Sequence, residues 1–425
     1  MERIRDAPLP RVNRDGRELP LWNIHVIENT ELGNERGGLG TVVALRVNHA
    51  IADGLSLIVV ARSLLEPAGR DGGDTKDAED SGAAKPGFGG TGAAEAVASG
   101  CRSQIKTVSS FGLRRVLTAL SEVVSIATAT SDAPLPFGHP EAPMSRGFDG
   151  EPWEVPSAAD LERKWQRKPF SARRRTLLFP DIPLSLVKRI KEVKGATVND
   201  VMICLISGCI RRYCEASGAA KSLGGKEFQC QASVPVALPR SMSAEETDTV
   251  LCNRWVLVPM TLHVDEADPA TRLEKIKETT LALKRSPVPG ILFILQTHIL
   301  PYLPISVCQD MIHNSLATHA VAISNVPGPQ EPMNFAGCRL RRIHSCFNNT
   351  SSHVGIVSVD GKMDVTITLD PLAMPDSMSL PRYYLEELKD LMSSLEVEGA
   401  AELEEAEAHR VQLVNIMENI APIVT

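Results

Sequence analysis

Aromatic residues are scarce in this chain: four Trp, four Tyr and ten Phe among 425 residues. A formal net charge of −7, with no basic stripe interleaved with aromatics, gives no electrostatic reason to hold a phosphate backbone, so the reading is no nucleic-acid partner. The nine cysteines include Cys204, Cys209, Cys230, Cys252 and Cys308 within apolar segments. Without a CxxC pair they read as reduced, buried small hydrophobes in a reducing compartment. No GxSxG elbow, HExxH pair or P-loop occurs, so serine hydrolase, zincin and nucleotide-triphosphate chemistry lose their usual signatures. Behind Met1-Glu2-Arg3-Ile4-Arg5-Asp6 there is no apolar run, and hence no secretory signal at this start.

What is present is apolar content of 43% over a length too great for one ordinary core, which implies two domains. Residues 66–99 hold two glycine-rich clusters and almost no large apolar side chains, and read as a disordered insertion. A Pro/Gly-rich stretch over 131–171 leads to a second domain. The boundaries are residues 1–170 and 171–425. Periodicity in the second part predicts a strand at 175–179, helices at 184–194 and 199–215, strands at 227–236 and 251–264, and a charged helix at 269–284. Strands follow at 320–325, 338–346, 354–359 and 364–369, then helices at 381–395 and 400–418. Strands and helices without regular βαβ alternation point to a layered α+β sandwich.

Chemistry concentrates at Asn48-His49-Ala50-Ile51-Ala52-Asp53-Gly54. Residues 41–47 read as a buried strand, and Leu55, Ile58, Val59 and Leu65 as one face of a following helix. His49 then sits on a rigid strand end, where an imidazole can take a proton near neutral pH. Asp53 can hold the turn through backbone N–H groups or an arginine, and Gly54 supplies free backbone angles. The alternative is a packed histidine followed by a helix-start turn.

Three other segments stand out. Thr197-Val198-Asn199-Asp200 heads an apolar helix: either Thr197 or Asn199 is its cap, or Asn199 faces a cleft and donates an amide hydrogen bond. Ser324-Asn325-Val326-Pro327-Gly328-Pro329 ends a strand in a rigid turn that lines a cleft or simply punctuates the strand. Cys252-Asn253-Arg254 opens a strand, where asparagine is disfavoured unless its side chain is needed for a hydrogen bond.

In order along the chain, Pro20-Leu21-Trp22 with residues 23–28, the His49–Gly54 motif, Thr197-Val198-Asn199-Asp200-Val201, Asn253, Ala267-Asp268-Pro269 and Asn325-Val326-Pro327-Gly328-Pro329 resemble the wax ester synthase/diacylglycerol acyltransferase family. The resemblance runs from Leu9 to Glu396. It implies a two-domain fold of the CoA-dependent acyltransferase kind and transfer of a fatty acyl group from acyl-CoA to a long-chain alcohol or a diacylglycerol. It implies no cofactor beyond acyl-CoA as substrate. His49 would be the general base in one ternary complex without an acyl-enzyme, and the thiolate leaves with little help. Asp53 and Gly54 would shape the loop. Asn48, Asn199, Asp200, Asn253, Asn325, Pro327 and Gly328 would line the substrate site, with Asn199 as oxyanion donor.

The family's paired histidines appear here as Asn48-His49, which keeps the second position and a hydrogen-bonding group at the first. The family also carries a substantial section before Pro-Leu-Trp, which this sequence reaches at Pro20, so the first domain reads as incomplete. A catalytically silent acyl-CoA- or lipid-binding relative, and transfer to another alcohol or amine, are the alternatives. Leu113, Val116, Leu117, Leu120, Val123, Val124 and Ala127 share one helical face, either interfacial or core-facing. Residues 290–308 are uncharged but broken by prolines, and read as two short buried helices near the acyl channel. Peripheral association with the endoplasmic reticulum membrane or lipid droplets, on the cytosolic side, follows from the family alone.

Overall fold

The computed structural model describes residues 20–30, 40–68, 174–217, 230–238, 251–308, 319, 321–347, 351–371 and 373–420, the side chains of 29, 30, 62 and 414–420 excepted. The expected insertion beyond residue 68, the 131–171 stretch and the amphipathic segment 113–127 lie outside them. Strands β1 (Trp22–Thr30) and β2 (Gly40–Val47) form an antiparallel pair, followed by helix α1 (Gly54–Ser63) and strand β3 (Leu65–Pro67). Then come β4 (Arg175–Leu178), β5 (Ile182–Pro183), α2 (Leu184–Lys194), α3 (Val198–Ala216), β6 (Gln231–Ala237), β7 (Trp255–Thr261), α4 (Pro269–Lys284) and α5 (Val288–His298). The chain continues through β8 (Val321–Pro327), β9 (Met333–Phe335), β10 (Cys338–Arg339), β11 (Ser352–Val359), β12 (Lys362–Leu369), α6 (Leu380–Ser394) and α7 (Ala400–Ile420). The fold class is α+β, as expected.

A seven-stranded mixed sheet, in the order β4-β12-β11-β8-β6-β7 with β5 also on β12, carries the second half of the described chain. Alternation along its strands divides it into two unlike faces. Leu177, Val321, Ile323, Val354, Ile356, Met363, Val365, Ile367 and Leu369 point into one core with α2, α3 and α6. The opposite face carries Thr176, Ser324, His353, Asp364, Thr366 and Thr368, a polar layer inside the molecule. Strands β6 and β8 pair only at Ala232–Val321 and Ser233–Ala322, so their C-terminal halves are not laddered to each other. A smaller sheet, β10-β9-β3, ties the segment after α1 to the segment after β8.

Local sequence explains the element ends. Helix α3 starts in a capping box, in which Thr197 accepts from the Asp200 N–H and the Asp200 carboxylate accepts from the Thr197 N–H. Helix α2 stops at Gly195, which is left-handed at φ 59°.

Four expectations are corrected, and one quoted motif proves to be a strand. Leu65 lies in β3 and not on the helix, which ends at Ser63; Glu66 and Pro67, expected to open the insertion, also belong to β3. Strand pairing over 338–346 is confined to Cys338–Arg339, because the following residues cross the sheet face: a Cβ on Gly355 would lie 2.7 Å from the Ser345 carbonyl oxygen. Residues 251–254 precede β7 instead of opening it. Residues 22–30, quoted above only as a motif, form β1, whose outward face carries Trp22, Ile24 and Val26. Of the two short buried helices expected over 290–308, α5 has a buried side (Val288, Gly290, Ile291, Phe293), whereas the residues after it are exposed.

Two buried carboxylates on or beside the polar face show opposite solutions to the same problem. Burial works to raise the Asp181 carboxyl, but the hydrogen bond from His409, with Arg342 at 3.1 Å and Lys362 at 2.8 Å, outweighs it and holds the group well below the usual range. Asp364 is 1% exposed, and neither carboxylate oxygen has a well-formed hydrogen bond. Burial pushes its carboxyl up to about 7 from 3.8. The folded state therefore binds this proton more tightly, and stability falls as pH rises from about 4 through about 7. Asp364→Asn, a mimic of the protonated form, should gain on the parent by up to about 4 kcal/mol across that window. Denaturant unfolding of both proteins at acid and at alkaline pH checks this; a gap that does not widen with pH would refute the account.

Candidate active site

His49 occupies a tight turn directly after β2. Asn48 builds that turn: its side-chain oxygen accepts the Ala50 N–H at 2.9 Å, its carbonyl accepts the Ile51 N–H, and its own N–H donates to the Leu21 carbonyl. Asn253 clamps the turn from the opposite chain half, donating from Nδ2 to the His49 carbonyl at 2.8 Å and to the Ala50 carbonyl at 3.2 Å. Its Oδ1 accepts from the Trp255 indole N–H at 3.2 Å. The asparagine that is disfavoured before a strand is thus explained by three hydrogen bonds.

The imidazole itself is placed by rings. Trp255 meets it edge-on at 5.5 Å and Phe347 at 5.4 Å, both measured between centroids. Among the described residues no side chain hydrogen-bonds the His49 ring. Its nitrogens therefore stay available for a proton from a bound molecule, while its orientation is fixed by packing.

Asp53 acts on the backbone of the loop. Buried at 4% exposure, it accepts the Ser56 N–H at 3.0 Å through Oδ1, which caps α1, and the Arg254 N–H at 3.0 Å through Oδ2. Its own N–H donates to the Cys252 carbonyl, and Ser56 Oγ donates to the same carbonyl at 3.1 Å. These bonds hold residues 252–254 against the loop instead of against a neighbouring strand, which is why β7 begins only at Trp255. Gly54 permits close approach: a Cβ there would lie 3.1 Å from Val326 Cγ2 of β8.

The remaining expected residues form a second group. Asn325 Nδ2 donates to Asn199 Oδ1 at 3.3 Å. Strand alternation places Asn325 on the helix side of β8 and Val326, which faces Gly54, on the other. Among the described residues no hydrogen bond links the asparagine pair to His49. Asp200 is a packing residue, engaged by the capping box and by Thr280 Oγ1 at 2.7 Å. Pro327 is exposed. Gly328 is a close-approach position whose added Cβ would meet the Ser358 carbonyl oxygen at 2.6 Å, and Gln330 ties its carbonyl to Ser358.

Three site residues escaped sequence reasoning: Trp255, Phe347 and His353. His353, 7% exposed, stacks at 34° on Phe347 with centroids 5.2 Å apart. Burial, reinforced by His49 nearby, holds it down at about 4, so it is neutral at neutral pH. The available signal was scarcity, since a chain with few aromatics places two of them on one histidine. No group of His, Cys, Asp and Glu among the described residues could hold a metal ion.

The arrangement is one imidazole on a braced turn beside the polar face of a sheet. Comparison with known proteins narrows this. Residues 12–202 match the wax ester synthase/diacylglycerol acyltransferase catalytic domain, and residues 251–392 match the C-terminal domain of the same family. A Mycobacterium tuberculosis protein named as a diacylglycerol O-acyltransferase is 26% identical over 402 residues, spanning 88% of this chain and 68% of that protein. Wax ester synthase/diacylglycerol acyltransferase 8 of Arabidopsis thaliana is 24% identical over 247 residues, 52% of this chain and 50% of that protein. The solved wax ester synthase/diacylglycerol acyltransferase of Marinobacter aquaeolei is similar over 89% of this chain and 72% of its own, at 17% identity and a TM-score of 0.49. The chain belongs to the wax ester synthase/diacylglycerol acyltransferase family and is an acyltransferase.

Asn253→Ala removes all three hydrogen bonds that join the His49 turn to Trp255. Acyl-transfer turnover should fall about 10²-fold through misplacement of the ring, with stability lowered by about 1–3 kcal/mol. Turnover close to the parent's would show that ring packing alone positions His49.

Proposed function

We propose that the chain transfers a fatty acyl group from acyl-CoA to the hydroxyl of a long-chain alcohol or a diacylglycerol, with His49 as general base. The observation that carries this reading is the His49 imidazole, held by Trp255, Phe347 and the Asn253-braced turn, with no side-chain hydrogen bond to its ring among the described residues. In the forward step the imidazole takes the hydroxyl proton as the oxygen attacks the thioester carbonyl carbon. The tetrahedral adduct collapses with cleavage of the C–S bond, and the imidazolium returns the proton to the departing thiolate. No covalent acyl-enzyme is needed, because a thiolate is a far better leaving group than an alkoxide.

The asparagine pair serves this reading as lining of an acyl passage. Asn199 and Asn325 stand at the side of β8 away from Gly54, where β6 and β8 are no longer laddered, so a chain reaching His49 would pass between these strands. The acceptors are lipids, which gives the protein a reason to work at a lipid surface on the cytosolic side of a membrane or droplet.

The test is transfer from labelled palmitoyl-CoA to hexadecanol and to a diacylglycerol, with lipid products resolved by chromatography. His49→Ala should reduce product by about 10²- to 10⁴-fold, and the product ratio names the acceptor. Equal product from parent and His49→Ala would remove His49 from the mechanism.

A further inference from the structure

The polar face of the large sheet holds two buried groups that the sheet itself leaves unsatisfied. One row of paired residues crosses that face from β7 to β4: Pro259, Ser233, Ala322, His353, Thr368 and Thr176. Residues paired directly across strands share a face, so all six project to the same side. Thr368 and Thr176 hydrogen-bond each other. Ser233 and His353 have no such neighbour in the row, because Ala322 stands between them and Pro259 flanks Ser233, and neither of those side chains carries a polar atom. Ser233 is 1% and His353 7% exposed, and among the described residues Ser233 Oγ and His353 Nδ1 have no hydrogen-bond partner.

A hydroxyl and an imidazole taken out of water are costly when unpartnered, and such groups are completed by an ordered water or by a ligand. Their place favours a ligand. The Ser233–Ala322 rung is the last between β6 and β8, so the pair stands where these strands begin to part. His353 stacks on Phe347, and Phe347 packs on His49, so a single ring separates His353 from the base. Both groups can donate, the serine through its hydroxyl and the neutral imidazole as its Nδ1–H tautomer. Two strand spacings set their backbones roughly 10 Å apart, which suits a ligand with two acceptor atoms better than one with a single oxygen. An ester carbonyl asks only for a donor. An amide brings an N–H as well, and Ala322 and Pro259 offer nothing to receive it.

We propose that Ser233 and His353 form a two-point binding site for the ester carbonyl oxygens of a diacylglycerol acceptor, which holds its free hydroxyl at His49. The inference rests on the acyl-transfer reading and narrows its acceptor. A long-chain alcohol has one oxygen, which goes to His49 and leaves this pair without a partner. A diacylglycerol has the hydroxyl and two ester carbonyls besides, and so satisfies all three groups at once.

The test compares a diacylglycerol with the dialkylglycerol of equal chain length, in which ethers replace both esters while the free hydroxyl stays. Transfer from palmitoyl-CoA to each, dispersed in detergent, gives two values of kcat/KM. The parent should prefer the diester by about tenfold or more. Ser233→Ala and His353→Leu should each cut that preference by about threefold or more, chiefly through KM for the glyceride. Ser233→Thr, which keeps the hydroxyl, should hold the parent's ratio. A general loss of structure lowers both rates together and leaves the ratio where it was. A parent ratio near one, or a ratio that neither variant moves, overturns the proposal. So does a variant that raises KM for palmitoyl-CoA and leaves the ratio alone, which would assign the pair to the pantetheine amides. Binding is read apart from chemistry with the His49→Ala chain and labelled lipids: it should retain the diester about tenfold better than the diether, and Ser233→Ala in that background should not. Equal retention of the two lipids overturns the proposal, and with transfer to hexadecanol intact it leaves the acyl-transfer reading standing. Selective retention of the diester, in a protein whose parent transfers to no acceptor, leaves the pair standing and sinks that reading instead.

Discussion

One buried carboxylate joins the two halves of this protein. Asp53 accepts N–H groups from Ser56, three residues on, and from Arg254, 201 residues away, while its own amide holds the Cys252 carbonyl. A carboxylate out of water is costly unless its oxygens are satisfied, and backbone N–H groups satisfy it only if they stay in place. The penalty for separating the loop from residues 252–254 is therefore concentrated on one side chain. Everything that defines the site hangs from that junction: the start of α1, the approach of Gly54 to Val326, the turn that carries His49, and the late start of β7 at Trp255.

The sheet beneath the site is unusual in having a polar inner face. Leu and Ile side chains face the helices and do the ordinary work of a core, while Thr176, Thr366, Thr368, Ser324, His353 and Asp364 line the other side. Threonine and serine pair among themselves, as Thr176 and Thr368 do at 3.3 Å. Asp364 does not, and its proton affinity rises accordingly. A polar face buried within a protein has to be closed by something, and residues 340–347 close part of it, passing so near Gly355 that no larger residue fits. Phe347 at the end of that crossing reaches both His353 and His49. The irregular path of this segment follows from the same requirement that puts an aromatic ring beside the imidazole.

Much of the scaffold was legible in the sequence because it obeys simple periods. The helix at 184–194 came out with the observed bounds, α4 likewise, and β11 and β12 to within two residues at either end, since each is a strongly patterned segment with clear punctuation. The His49 motif was legible for a similar reason: strand, turn and helix are local. What failed was long-range. Asp200 reads as a site residue beside Asn199, yet its oxygens go to the capping box and to Thr280 on another helix, a contact that no local pattern encodes. Gly328 likewise reads as a cleft turn, but its lack of a side chain answers to the Ser358 carbonyl of a neighbouring strand. Trp255, Phe347 and His353 are 206, 298 and 304 positions beyond His49 in the chain, and only the folded sheet brings them to it.

The division of labour at the site has a chemical logic. A base held by hydrogen bonds through its ring nitrogens is strongly oriented but has one nitrogen already engaged. His49 is oriented instead through its backbone, by Asn48 and Asn253, and through the edges of Trp255 and Phe347. Ring contacts of this kind restrict rotation without taking a hydrogen bond from a ring nitrogen to a polar side chain. A charged partner such as Asp53 in contact with the imidazole would favour the protonated ring, the form that cannot act as a base. Placing that carboxylate on the backbone of the turn, and neutral His353 behind Phe347, braces the imidazole while, among the described residues, no side chain is hydrogen-bonded to its ring.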